Sequence, residues 1–147
     1  MALSDRLGLA VSTSSSEALT AYEQGLDLAL RWRSGAMEAL TTAVVADPHF
    51  TLAHCTKAYV GLRMGQVDTA LEAHQQALAQ QDSMQTEREH LHVQTIDALA
   101  RNDRITAYTC LEQIVGQQPT DRIALWQLNQ MQIAQGNYRS SENELEI

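Results

Sequence analysis

Apolar residues recur along the chain at helical spacing from Ser16 onward. The first such run contains Ala18, Tyr22, Leu26 and Leu30. These residues fall on one face of a helix, because an α-helix has about 3.6 residues per turn. No stretch of the chain shows the alternation of apolar and polar residues that a half-buried strand requires. The pattern therefore predicts an all-α protein.

Short breaks divide this pattern into about eight helices. Ser14 and Glu17 have the spacing of a capping box and predict the start of the first helix. Proline cannot continue a helix, so Pro48 and Pro119 predict two of the ends. We expect helices at 16–32, 36–46, 51–64, 67–81, 87–101, 105–117 and 121–135, and from 138 onward.

The turns between the helices repeat. The sequences GQVDTAL (65–71), NDRITAY (102–108) and GNYRSSE (136–142) start 37 and 34 residues apart, and a small residue follows five positions after each start, at Ala70, Ala107 and Ser141. This spacing is typical of the tetratricopeptide repeat, a helix-turn-helix unit of about 34 residues. We therefore predict antiparallel helical hairpins stacked as a tetratricopeptide-repeat-like right-handed superhelix. The predicted hairpins are 16–48, 49–82, 86–118 and 120–147, after a flexible N-terminal arm at 1–15.

Three longer blocks carry a more specific resemblance. They are STSSSEALTAYEQGLDLALRW (12–32), ADPHFTLAH (46–54) and the segment 86–125 that begins TEREHLH. In this order they resemble the N-terminal part of the tetratricopeptide repeat protein 38 family. The most specific elements are the run Thr86, Arg88, Glu89 and His92, and the Pro-Thr-Asp at 119–121. Family members extend further, so the resemblance implies a fragment or a short relative, and it assigns no catalytic residue.

Composition narrows the possible partners. Lys and Arg total 10 against 18 acidic residues, giving a formal net charge of −8, which argues against a nucleic-acid partner. No run approaches the roughly 20 apolar residues of a membrane-spanning helix, so we expect no membrane partner. Cys55 and Cys110 belong to no CxxC motif, and we predict buried free cysteines in a cytoplasmic protein.

The segment TEREHLH combines charged residues with two histidines and could be a site or a helix start. Thr86 and Glu89 have capping-box spacing, which favours a helix start. His90 and His92 point about 200° apart on a helix and cannot bind one metal together. We predict no metal, no cofactor and no catalytic residue. His92 is predicted to be half-buried and hydrogen-bonded to a neighbouring hairpin.

In a repeat superhelix the first helix of each hairpin lines the concave face, where partners usually bind. Here that face would be apolar and aromatic, which suits an apolar or amphipathic protein segment or a second copy of the chain in a homodimer. The alternative is that these residues pack against the next hairpin. The predicted groove residues are Leu52, Cys55, Tyr59, Leu62, Arg63, Glu89, His92, Ile96, Leu99, Ile123, Trp126, Gln130 and Ile133.

These observations predict a non-enzymatic scaffold for protein–protein interaction or self-assembly. One alternative is that the chain is the N-terminal helical-repeat lobe of a longer enzyme whose catalytic part is absent here. Another alternative is that a small ligand binds around Tyr59, His92 and Trp126, on the strength of their aromatic rings alone.

Overall fold

A computed structural model describes residues 3–80 and 86–132. Within these ranges the protein is all-helical, with seven helices and no strand. The predicted starts agree with the structure to within one residue, and the predicted ends of the first six helices agree to within two. The predicted end of the seventh helix and the predicted eighth helix lie outside the described residues. The helices are α1 Ser16–Leu30, α2 Ala36–Ala46, α3 Thr51–Arg63, α4 Val67–Ala79, α5 Glu87–Ala100, α6 Arg104–Gln117 and α7 at 122–132.

Consecutive helices pack as hairpins: α1 with α2, α3 with α4 and α5 with α6. Small residues allow the close approach. A Cβ atom added to Gly25 would lie 2.8 Å from Cγ of Leu40, and one added to Gly61 would lie 3.1 Å from Cβ of Ala70. Ala70 and Ala107 are buried, as the repeat spacing predicts. The packing of successive hairpins is compatible with a helical-repeat arrangement.

The three turns inside the hairpins share one backbone geometry. The second residue after each helix has a positive φ: Trp32 (56°), Gly65 (75°) and Asn102 (59°). The backbone N–H of the following residue donates to the carbonyl five residues earlier at 2.8–2.9 Å. This is the Schellman arrangement, which satisfies carbonyl groups that a helix end leaves unpaired. Trp32, Gly65 and Asn102 are therefore equivalent positions of the fold.

The first helix starts one residue later than the capping-box prediction. The N-cap of α1 is Ser15, not Ser14, and its hydroxyl accepts a hydrogen bond from the N–H of Ala18 at 3.1 Å. The shift has a physical cause, because the N–H of Ser15 itself donates to the hydroxyl of Thr13 at 3.1 Å. This bond holds Ser15 in the extended conformation of an N-cap.

The N-terminal segment at 3–15 packs against the helices, which departs from the predicted flexible arm. It folds back on itself, since Leu3 donates to the carbonyl of Thr13 at 3.1 Å and Val11 donates to that of Leu3 at 2.9 Å. The Asp5 carboxylate accepts from two backbone N–H groups within the turn. Val11 and Thr13 are fully buried, so the segment is part of the core.

The first hairpin also touches α7. Arg122 of α7 donates to the Glu23 carboxylate of α1 at 2.7 Å, and the rings of Trp32 and Trp126 lie 5.8 Å apart between centroids. Ile123 and Trp126 of α7 are buried in the same hydrophobic core as residues of α1, α3 and α5. Among the described residues no helix is both long and apolar enough to cross a membrane.

Candidate functional site

Most of the predicted groove lies in the interior. Buried residues cannot contact a partner from solvent, so an open concave groove at these positions is wrong for the chain as it is folded here. The reason is that residues of α7 pack into the same core as residues of α1, α3 and α5, which periodicity does not reveal. Leu62 and Arg63 are exposed, Leu99 and Gln130 are half-buried, and Ile133 lies outside the described residues. Leu52, Cys55, Tyr59, Glu89, His92, Ile96 and Ile123 are at most 1% exposed, and Trp126 is 8% exposed.

The segment TEREHLH starts α5 with the predicted capping box. The Thr86 hydroxyl accepts from the N–H of Glu89 at 3.1 Å. Oε1 of Glu89 in turn accepts from the N–H of Thr86 at 3.3 Å and from its hydroxyl at 3.1 Å. The capping prediction is confirmed, and one carboxylate oxygen of Glu89 is fully used by it.

The other oxygen of Glu89 joins three parts of the protein. Oε2 accepts from the Ser12 hydroxyl at 2.8 Å and from the N–H of Leu52 at 3.2 Å. Leu52 lies in the first turn of α3, whose N-cap residue Phe50 makes no side-chain cap. Glu89 therefore caps α3 as well as α5, and it ties both helices to the N-terminal segment.

Asp121 forms a second buried junction, at the start of α7. Oδ1 accepts from the N–H of Ala124 at 3.0 Å, and Oδ2 accepts from Nη1 of Arg88 at 3.1 Å and Nε2 of His92 at 2.8 Å. Burial opposes the charged form of Asp121, but His92 and Arg88 outweigh it and hold the pKa of this carboxyl below its ordinary value. Arg88 also donates to the carbonyl of Ala10 at 3.2 Å.

His92 continues this network to Tyr59. Nε2 of His92 donates to the Asp121 carboxylate at 2.8 Å, and Nδ1 is hydrogen-bonded to the Tyr59 hydroxyl at 2.9 Å. The predicted bonding of His92 to neighbouring hairpins is confirmed, although the ring is fully buried rather than half-buried. Burial raises the pKa of Tyr59 well above its ordinary value. The bond between His92 and Tyr59 is buried and links α5 to α3.

The two cysteines also lie in the interior. Cys55 and Cys110 are free and buried, as predicted, and burial raises the pKa of both thiols. Within 3–80 and 86–132, no group of three or more His, Cys, Asp or Glu side chains could hold a metal ion.

A surface site lies at the opposite end of the hairpins, where the turns meet. We call it the tryptophan cleft and define it by Trp32, Arg33, Arg63, Met64 and Trp126, which line a volume of about 220 Å³ together with smaller residues. Trp32 is 62% exposed. The guanidinium carbon of Arg63 lies 6.0 Å from the ring centroid of Trp126, within the range of a cation–π contact.

A second cleft of about 240 Å³ adjoins the first, and Arg63 lines both. Its other polar lining residues are Asn102, Arg104 and Gln127, and Leu62 contributes apolar surface. The sequence prediction included Tyr59, Leu62, Arg63, Leu99 and Trp126 but missed Trp32, which is 62% exposed. The available signal was its place in the repeat, where the other turns have Gly65 and Asn102.

Comparison of the chain with models of protein families, with curated proteins and with solved structures finds no match. The resemblance to the tetratricopeptide repeat protein 38 family stays a prediction. The Thr86–His92 run and the Pro-Thr-Asp at 119–121, which carry that resemblance most specifically, supply the residues of the buried junctions.

Proposed function

We propose that this chain is a protein-interaction module built of degenerate tetratricopeptide repeats, and that it binds a partner segment in the tryptophan cleft. The proposal moves the predicted binding surface from the concave face to the end of the hairpins where the turns meet. The observation that carries it is the backbone conformation and exposure of Trp32.

Trp32 adopts a left-handed conformation (φ 56°), which is an outlier for a bulky residue. This conformation costs a residue other than glycine roughly 1–2 kcal/mol. The equivalent positions of the other hairpins have Gly65 and Asn102, which adopt it at little cost. Stability alone therefore favours glycine or asparagine at position 32, and strain of this kind is concentrated at functional sites.

The chemistry of the cleft also supports a protein partner. Tryptophan and arginine are the residue types most enriched among those that dominate binding energy at protein interfaces. The volume of about 220 Å³ is below the roughly 300–1,000 Å³ of small-molecule sites. It suits a single bulky side chain from a partner, which would contact Trp32, Met64 and Trp126.

The test is Trp32→Asn, which copies the turn of the third hairpin. Relief of strain offsets the lost contact with Trp126, so we expect the free energy of unfolding to change by less than about 1 kcal/mol. Peptides selected from a displayed random library against the native chain should bind the variant at least about tenfold more weakly. Urea denaturation and titration of the selected peptides measure the two effects.

Val45→Ala is the matched control, because Val45 is 75% exposed on α2 and does not line the cleft. A library that yields no binder, or binders indifferent to Trp32→Asn, would overturn the proposal. Light scattering at increasing protein concentration tests whether the partner is a second copy of the chain. A dimer that Trp32→Asn dissociates would identify the cleft as a self-association surface.

A further inference from the structure

We infer that the segment bound in the tryptophan cleft is acidic and carries a bulky apolar or aromatic side chain. This inference rests on the proposed function and names the class of partner. It follows from the arginines that line the cleft and its neighbour, and from the absence of Asp and Glu among the described residues that line them.

Three arginines line the two adjoining clefts. Arg33 and Arg63 line the tryptophan cleft, and Arg63 and Arg104 line its neighbour. All three are exposed, and none forms an ion pair with any residue in the described part of the chain. Their guanidinium groups are therefore available to a carboxylate from outside.

Other arginines at the same end of the hairpins are occupied. Arg31 pairs with Asp27 at 3.3 Å, and Arg101 pairs with Asp97 at 3.2 Å. Asp103, next to Arg104 in sequence, uses both carboxylate oxygens to bind Thr106 at the start of α6. Among the described arginines, those without an ion-pair partner are the three that line the clefts, and the other described cation without one is Lys57, which lines neither cleft.

This distribution reverses the charge of the whole chain. Acidic residues outnumber basic ones 18 to 10 overall, whereas the described residues that line the two clefts include three arginines and no Asp or Glu. A concave region of one sign attracts ligands of the opposite sign, and the acidic remainder of the surface repels them elsewhere. The field therefore selects an anionic segment and directs it to the clefts.

The apolar half of the site distinguishes a peptide from a nucleic acid. Proteins that bind single-stranded nucleic acid combine a long positive groove with aromatic rings on which successive bases stack. Here the two aromatic rings contact each other at 5.8 Å, and the unpaired positive charges number three. A segment with one apolar anchor and nearby carboxylates matches both halves, because the planar guanidinium group binds carboxylates through paired hydrogen bonds.

The experiment is fluorescence anisotropy on the intact chain with a labelled peptide in which glutamate and leucine alternate around a central phenylalanine. Matched peptides replace every glutamate by glutamine, or the phenylalanine by alanine, and a single-stranded oligonucleotide serves as competitor. The protein variants are Arg63→Gln and Arg104→Gln. Lys57→Gln is the control, because it removes the same charge from a residue that lines neither cleft.

We expect each arginine variant to weaken binding of the acidic peptide about twofold to fivefold, the range of an exposed ion pair, with no effect of Lys57→Gln. Added salt should weaken binding of the acidic peptide, and both substituted peptides should bind less tightly. Equal binding of the glutamine peptide, or displacement by the oligonucleotide, would overturn the inference. If the glutamine peptide binds and Trp32→Asn abolishes that binding, the interaction module is still supported, but the preference for an acidic segment is not. The two proposals therefore fail separately.

Discussion

Arginine serves different purposes at opposite ends of the same hairpins, as Arg88 and Arg63 show. Arg88 is buried and donates to Asp121 and to the backbone of Ala10. Arg63 is exposed beside Trp126 and has no acidic partner among the described residues. The difference teaches that residue type does not identify a binding site in this fold. The surroundings differ instead: buried acceptors satisfy Arg88, whereas Arg63 keeps free donors beside the cleft that we propose as the binding site.

The largest effect should come from Asp121→Ala in the buried network. The substitution leaves Arg88 and His92 buried without their acceptor and removes the N-cap of α7, so we expect a loss of about 3–5 kcal/mol in the free energy of unfolding. Urea denaturation followed by circular dichroism measures it. Arg63→Gln is the control from the other end of the hairpins, with an expected change within about 0.5 kcal/mol. Similar losses of stability in the two variants would contradict the distinction between a structural network at one end and a free surface at the other.

A smaller loss is expected for Glu89→Gln. The amide nitrogen cannot accept a hydrogen bond, and it would face either the Thr86 donors or those of Ser12 and Leu52. Hydrogen bonds to charged groups contribute about 1.5–3 kcal/mol, and we expect a loss in that range. A double-mutant cycle with Ser12→Ala isolates the coupling between them. Additive losses would show that the bond between Ser12 and Glu89 does not contribute to stability.

The smallest expected effect is a dependence of the free energy of unfolding on pH that arises from His54, which lies at the end of the hairpins with the buried network. Burial lowers the pKa of His54, whose Nε2 donates to the carbonyl of Pro48 at 2.8 Å. The folded state therefore binds this proton less readily than the unfolded state, where the pKa is about 6.5. Its contribution to stability is complete above that value and is lost as pH falls below it.

The measurement compares the free energy of unfolding at about pH 7.5 and pH 5.5 in the native chain and in His54→Gln. The glutamine keeps a donor near Pro48 but does not titrate, so the variant should lose less stability on acidification. An equal loss in both proteins would place the proton uptake elsewhere.

The parts of the structure that depend on local sequence could be predicted. Helical periodicity located the helices, and the spacing of Thr86 and Glu89 located the cap of α5, because both involve residues within a few positions of each other. Contacts between distant residues could not be predicted this way. Arg88 and Asp121 are 33 residues apart, and nothing in either helix pattern shows that they meet.

The candidate site was predicted only in part, for two physical reasons. The concave face was assigned from repeat geometry, which does not show that α7 reaches α1. Trp32 was assigned to the end of a helix, because its left-handed conformation becomes evident only when its turn is compared with those at Gly65 and Asn102. Aligning the turns rather than the helices would have singled it out.

The bond between Arg122 and Glu23 bears on how this architecture can vary. Linear repeat arrays tolerate gain or loss of units, since each unit contacts only its neighbours and the ends can fray independently. Here a late helix is fastened to the earliest one. Insertion of another hairpin between them would separate these two residues, so geometry fixes the number of units between α1 and α7, and this part should melt as a single cooperative event.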